Sequence, residues 1–278
     1  MTGTLPNCDG PGESHSGPQT AAETAAEPPI ERLALPDGGH LAFRRLPAPA
    51  GAPAPPGIVF LGGFASDMGG TKATALAAHC RARGLALLRF DYQGHGASSG
   101  RFEDGTIGGW RNDALAALDR LTEGPQILVG SSMGGWIMLL LAAARPQRVA
   151  GLVGIAAAPD FTERLIRPAL SPAQRAALAG NGRLELPSAY GPPIVVTARL
   201  MEEARRHLLL DKPLPFAGPV RLLHGMADKD VPWTLSRLVA ERLAAADLVL
   251  TLVKDGDHRL SRPQDLARIL AAVDELAG

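Results

Sequence analysis

Cysteine is scarce in this 278-residue chain: there are two, Cys8 and Cys80. Cys8 falls in a polar tail and Cys80 in an expected helix. This predicts no disulfide framework, no cysteine-held metal and no thiol nucleophile, and it suits a reducing, cytoplasmic compartment. Net charge is also missing. Lys and Arg number 28, as do Asp and Glu, so no excess of one sign would draw the chain to nucleic acid or an anionic membrane surface. No apolar run approaches the roughly 20 residues that a membrane-spanning helix needs. Residues 1–28 hold almost no large apolar side chains. They cannot bury enough surface to offset the cost of ordering, so a disordered tail is expected. The tail shows neither the charged start and apolar middle of a secretory signal nor the Arg-rich amphipathic pattern of a transit peptide. The chain as a whole is 46% hydrophobic and 20% charged, an ordinary globular balance with ample material for a core.

Short apolar runs alternate with helical periodicity. Ile30 to Leu46 reads as two strands around the turn Pro36-Asp37-Gly38-Gly39, and Pro47 to Gly57 as a loop. Strands are expected at Ile58–Leu61, Leu85–Phe90, Val149–Ala156, Val220–His224 and Leu248–Val253. Helices are expected at Thr71–Arg83 (closed by Gly84), Trp110–Leu121, Trp233–Ala245 and Pro263–Leu276. Apolar strands alternating with helices argue for a mostly parallel sheet covered on both faces, an α/β fold. Phe161 to Pro215 interrupts the rhythm. Glu163–Gly180 reads as helix broken at Pro168 and Pro172, Arg183–Tyr190 as extended, and Ile194–Leu210 as helix, from Thr197 at least.

Gly130-Ser131-Ser132-Met133-Gly134 is the stretch that carries chemistry. It follows the apolar run Pro125–Val129 and precedes the helical run Trp136–Ala143. This is the strand–turn–helix setting in which G-x-S-x-G exposes a serine hydroxyl. Ser132 is the expected nucleophile. A serine needs a base, and the base an orienting acid. Asp228 falls in the loop after Val220–His224, and His258 in the loop after Leu248–Val253. Both lie at the edge of a parallel sheet where active sites gather, in the chain order Ser, Asp, His. Asp230 is the rival acid. His224 is expected to be a structural hydrogen-bonding residue, His95 to shape a turn, and His79 and His207 to be exposed or packed. Oxyanion donors are expected from the backbone N–H of Met133 and of Phe64, the latter in the loop Gly62-Gly63-Phe64-Ala65-Ser66. Trp110, Trp136 and Trp233 read as core or cap-contact residues. Leu165, Ile166, Leu170, Tyr190, Met201, Leu208 and Leu209 either line an acyl pocket or form a helix's buried face.

Over residues 30–278 these pieces resemble the α/β-hydrolase superfamily. The runs Gly70-Thr71-Lys72-Ala73, Arg89-Phe90-Asp91-Tyr92, Gly124–Trp136, Arg221–Met226, Val231-Pro232-Trp233 and Asp257-His258-Arg259 are similar to its branch of palmitoyl-protein thioesterases and acyl-glucuronide esterases. The Ala- and Arg-rich composition suggests a bacterial relative. The resemblance implies Ser132 as nucleophile, Asp228 as acid and His258 as base, acting on acyl thioesters or esters. The expectation is an α/β-hydrolase fold with a core of 29–159 and 216–278 and a small cap at 160–215. It would be a cofactor-independent, metal-free serine hydrolase whose substrate is a small-molecule or protein-borne acyl ester or thioester. A catalytically silent binding protein and a serine peptidase are the alternatives. Dehalogenase or epoxide hydrolase chemistry needs an Asp where Ser132 stands.

Overall fold

The computed structural model describes residues 27–49, 55–187 and 193–278. Cys8 and most of the expected tail, part of the Pro/Ala/Gly loop, and Tyr190 lie outside the described residues.

The apolar runs become strands β1 (Glu31–Ala34), β2 (His40–Leu46), β3 (Gly57–Leu61), β4 (Leu87–Phe90), β5 (Gln126–Ser131), β6 (Val149–Ile155), β7 (Arg183–Leu186), β8 (Ile194–Thr197), β9 (Val220–Gly225) and β10 (Leu248–Val253). Eight of them form one sheet in the order β1-β2-β4-β3-β5-β6-β9-β10. The β1–β2 and β2–β4 pairs are antiparallel and the others parallel. All five residues of β3 and all six of β5 are buried, because helices cover both faces. Alternate side chains serve opposite cores. Ile58, Phe60, Ile127 and Val129 pack with Leu76, Cys80, Ile269 and Val273. Val59, Leu61 and Leu128 pack with Trp110, Trp136, Ile137 and Val239.

The first of these faces is covered by α1 (Thr71–Arg83) and, towards the end of the chain, by the helix Pro263–Ala277. α1 ends where expected, at Gly84 in the left-handed region (φ +66°). The opposite face carries α2 (Ile107–Leu121), α3 (Met133–Ala144) and, further along, the helix Thr234–Arg242. α2 begins a turn earlier than the apolar spacing predicts, because Thr106 Oγ1 caps it by accepting from Gly109 N–H at 3.0 Å.

Between β6 and β9 the chain leaves the sheet. A π-helical turn (Thr162–Ile166) runs into α4 (Arg167–Ala169), then α5 (Pro172–Asn181), the antiparallel ribbon β7–β8, and α6 (Ala198–Ala204). Pro168 lies in the first turn of α4 and Pro172 starts α5. The helical path therefore passes through Pro168, and the break falls just before Pro172, where Ser171 and Gln174 form a capping box. The helix expected from Ile194 is corrected: Ile194–Thr197 is strand, paired with β7, and helix starts only after Thr197, whose hydroxyl caps α6. Leu170, Leu178, Val196 and Met201 form a separate small core here. Asp160 ties the two ends of the excursion together. Its buried carboxylate accepts the N–H groups of Leu209 and Leu210, both at 2.9 Å. α7 (Thr234–Arg242) and α8 (Pro263–Ala277) then complete the sheet's coverage.

Candidate active site

Ser132 sits between β5 and α3 with φ +53° and ψ −117°. That backbone is costly for a residue with a side chain, on the order of 1–3 kcal/mol, and it is held only because the surroundings leave no alternative. A Cβ on Gly134 would lie 2.0 Å from the carbonyl oxygen of Leu61, and one on Gly130 2.5 Å from that of Gly134. Only glycines let α3 leave β5 this tightly. Ser132 N–H donates to Ile155 O at 2.9 Å, and Ser132 O accepts from Ala158 N–H at 3.0 Å. Among the described residues, the non-glycine residues with positive φ are Ala65, Ser132, Ala156, Asp160 and Leu260. All of them stand in loops after the C-terminal ends of β3, β5, β6 and β10. Strain gathers along one edge of the sheet.

The loops after β9 and β10 are stitched to each other. Met226 N–H donates to Val253 O at 2.8 Å and Ala227 N–H to Gly256 O at 2.9 Å. This brings Asp228 and His258 to Ser132. His258 Nε2 lies 3.1 Å from Ser132 Oγ, and its Nδ1 2.7 Å from Asp228 Oδ2. The Asp228 side chain is fully buried and that of His258 is 17% exposed. Burial alone would push the Asp228 carboxyl up, but hydrogen bonds from His224 and His258 and from the Val231 backbone hold it well below the usual carboxylate range. The carboxylate stays charged, as an orienting acid must.

A cavity of about 690 Å³ opens over Ser132 and His258. Phe64 and Met133 both line it. Met133 is the first residue of α3, where a backbone N–H has no partner inside the helix. A Cβ on Gly63 would lie 3.5 Å from Ser132 Cβ, so the loop after β3 passes close beside the serine. One wall is apolar, with Phe102, Phe161, Leu165, Ile166, Leu186 and Ile194. The lining also includes Lys72 and Arg259. Lys72 Nζ donates to Arg259 O at 2.6 Å, which ties α1 to the loop of His258. Burial, together with the Arg259 charge, lowers Lys72 to about 8.

The other candidates take different parts, Asp230 beside the site as a lining residue of the cavity. Asp230 is exposed and gives its backbone N–H to Asp228 Oδ1 rather than its carboxylate to His258. His95 is buried against Phe102 and Trp110, its Nδ1 on Gln93 O. His79 pairs with Asp274 and His207 with Glu203. Trp110 and Trp136 are core, and Trp233 caps α7, half-buried. Of the seven residues weighed for an acyl pocket, Leu165 and Ile166 line the cavity. Leu170 and Met201 pack in the excursion's own core, and Leu208 and Leu209 against the main one. Burial pushes the Cys80 thiol up to about 12, so it stays protonated. Arg183–Leu186 was expected as extended, but the Ile194–Thr197 strand and the place of Lys72 in the cavity escaped the sequence reading. The β-branched run Ile194-Val195-Val196 was the available signal for the first.

Among the described residues one group has metal-like spacing: ligand atoms of Asp228, Asp230 and His258 lie within 4.8 Å of one another. Both imidazole nitrogens of His258 are already engaged, by Asp228 and Ser132, so the group does not fit a cation without dismantling the serine's partner.

A doubly covered parallel sheet with a serine at a strained strand–helix turn, an imidazole on its hydroxyl and a buried carboxylate behind defines a class, and comparison with known proteins agrees. The model of the alpha/beta hydrolase family matches residues 58–269, and the chain belongs to that family. Within it, the chain is 42% identical to the mitochondrial palmitoyl-protein thioesterase ABHD10 of Bos taurus, over 89% of this chain and 79% of that one. Among solved structures it is similar to mouse alpha/beta hydrolase domain-containing protein 10, with TM-score 0.81 and 40% identity over 89% and 98% of the two chains. It is also similar to a crystal structure from Agrobacterium vitis S4, with TM-score 0.85 and 45% identity over 90% of this chain and 100% of that one. No helix among the described residues is long and apolar enough to cross a membrane.

Proposed function

We propose that this protein is a serine hydrolase that cleaves acyl thioesters or carboxylic esters through an acyl-enzyme intermediate. One observation carries the reading: Ser132, His258 and Asp228 form a continuous hydrogen-bonded chain at the floor of a cavity with an apolar wall. Ser132 Oγ attacks the acyl carbon while His258 Nε2 takes its proton. The Met133 and Phe64 N–H groups stabilise the oxyanion, a contribution worth about 3–4 kcal/mol per donor in comparable sites. His258 then gives the proton to the leaving thiol or alcohol. A water, deprotonated by His258, releases the acid and restores Ser132. Asp228 keeps the ring oriented and stabilises the imidazolium.

The segment 160–215 serves as the cap in this reading, and its Leu165, Ile166, Leu186 and Ile194 receive the acyl chain. The relatives' name, palmitoyl-protein thioesterase, supports a long chain. Cysteine usage supports a reducing, cytoplasmic setting.

The test is a panel of acyl-CoA, S-acyl peptide, acyl glucuronide and nitrophenyl esters, with Ser132→Ala as the blank. The reading expects a loss of kcat of at least about 10⁴-fold in the variant. It also expects fluorophosphonate labelling of the parent chain but not of the variant. Undiminished turnover by Ser132→Ala refutes it, and an unlabelled parent chain points to a silent binding protein.

A further inference from the structure

Asp228 is held by two imidazoles. Oδ2 lies 2.7 Å from His258 Nδ1 and 3.1 Å from His224 Nε2. Oδ1 is occupied by the backbone N–H groups of Asp230 and Val231, both at 2.8 Å. His224 is the last residue but one of β9, and it and the Asp228 side chain are both fully buried. Its Nε2 also faces the carbonyl oxygen of Val231 at 3.0 Å. A carboxylate and a carbonyl can only accept, so Nε2 carries the proton. Nδ1, 2.7 Å from Ser236 Oγ, then accepts the hydroxyl proton in the neutral ring. Ser236 is fully buried on α7. The hydrogen bonds therefore run in one direction, from Ser236 to His224 to Asp228.

We propose that His224, set by Ser236, is the positioning residue of the catalytic acid, and that the reactive chain has five members rather than three. The inference rests on the hydrolase reading above. Its physical reason lies in Oδ2. Without His224, that oxygen would be held only by His258, the ring it has to orient and one that must move charge in every cycle. A second donor on a rigid strand gives Oδ2 a fixed reference. It also stabilises the ionised carboxylate, so the proton taken from Ser132 remains on His258 for the leaving group instead of passing to Asp228. Asp230 is the further carboxylate of the 4.8 Å group, and His224 Nε2 is directed at Asp228 Oδ2 and Val231 O.

The test uses the full chain and a nitrophenyl butyrate assay. Four variants are compared: His224→Leu, His224→Gln, Ser236→Ala, and His224→Leu in an Asp228→Ala background. His224→Leu is expected to lower kcat about 10- to 100-fold with KM unchanged, and His224→Gln, which keeps an N–H donor, to recover most of it. Ser236→Ala removes only a hydroxyl and should cost about threefold. In the Asp228→Ala background His224→Leu should cost nothing further, since the residue acts through that carboxylate. Three outcomes overturn the proposal: wild-type kcat in a folded His224→Leu or, where that variant fails to fold, in Ser236→Ala; no recovery in His224→Gln; or a full additional loss in the double variant. The Ser132→Ala blank separates the two levels. An active blank refutes the hydrolase reading, whereas a dead blank beside an unimpaired His224→Leu refutes only this inference.

Discussion

Along the C-terminal edge of the sheet, the loops that carry Ser132, Asp228 and His258 are fastened by backbone. Ser132 is bonded to Ile155 and Ala158, and the Asp228 loop to the His258 loop through Ala227 and Gly256. Glycines allow contacts no side chain would permit. Beyond its backbone-paired β7–β8 ribbon, the excursion between β6 and β9 relies to a larger extent on side chains. Its own core is four buried residues, and Arg167 and Arg205 each bridge Glu163 and Glu202 on its surface. The difference teaches where tolerance lies. In the proposed reaction a misplacement of about an ångström can cost about 100-fold, which favours backbone contacts there. The proposed wall for an acyl chain needs only shape and apolarity, and its side-chain contacts can be exchanged without disturbing the proposed chemistry.

A pair of glycines breaks the comparison most sharply. Gly134→Ala drives a methyl into the Leu61 carbonyl and is expected to cost more than about 3 kcal/mol, or to prevent folding. Gly180→Ala, in α5 with nothing within 4 Å, should stabilise by about 0.5–1 kcal/mol. Urea unfolding of both variants measures this, and equal effects would erase the contrast.

Two buried aspartates come next, each replaced by its isostere. Asp160→Asn leaves one of the Leu209 and Leu210 N–H groups without an acceptor and should cost about 1–3 kcal/mol by the same measurement. Asp113, on α2, accepts from Gln93 N–H in the loop after β4, and burial raises it to about 6. Its folded form binds the proton more tightly than the unfolded chain does. Stability from this group is therefore full below about pH 4, falls as pH rises to 6, and stays reduced above. Asp113→Asn should raise Tm at pH 8 and leave it unchanged near pH 4. A Tm gain that does not grow with pH would contradict the assignment.

The smallest effect belongs to the surface ions. Arg205 is half exposed, so Arg205→Ala should shift stability by less than about 0.5 kcal/mol, and by still less in 0.5 M salt. A larger, salt-insensitive loss would show that the excursion depends on these charges.

Most strands and helices of the sheet are legible in the sequence, because their signals are local. The apolar run Ile127–Val129, the cap at Gly84 and the G-x-S-x-G stretch each act within a few residues. The excursion was read less well. Pro168 looks like a breaker until its place in the first turn of α4 is known, and Ile194–Thr197 becomes strand only because Arg183–Leu186 pairs with it. At the site, Ser132, Asp228 and His258 were nameable from order along the chain. His224 appeared only as a hydrogen-bonding residue, and Lys72 only within a run that carries the resemblance, with no role.

The sequence by itself determined the doubly covered α/β sheet, the strained turn at Ser132 and the order of the three candidate residues. Period, turn chemistry and the absence of side chains at Gly130 and Gly134 are properties of short segments. Tertiary structure decided the rest: the second imidazole on Asp228, the Asp160 tie across the neck of the excursion, the Lys72 contact with Arg259 and the apolar wall of the cavity. These contacts join different elements, Lys72 and Arg259 being 187 positions apart. They exist only once packing of the whole chain has chosen which surfaces meet.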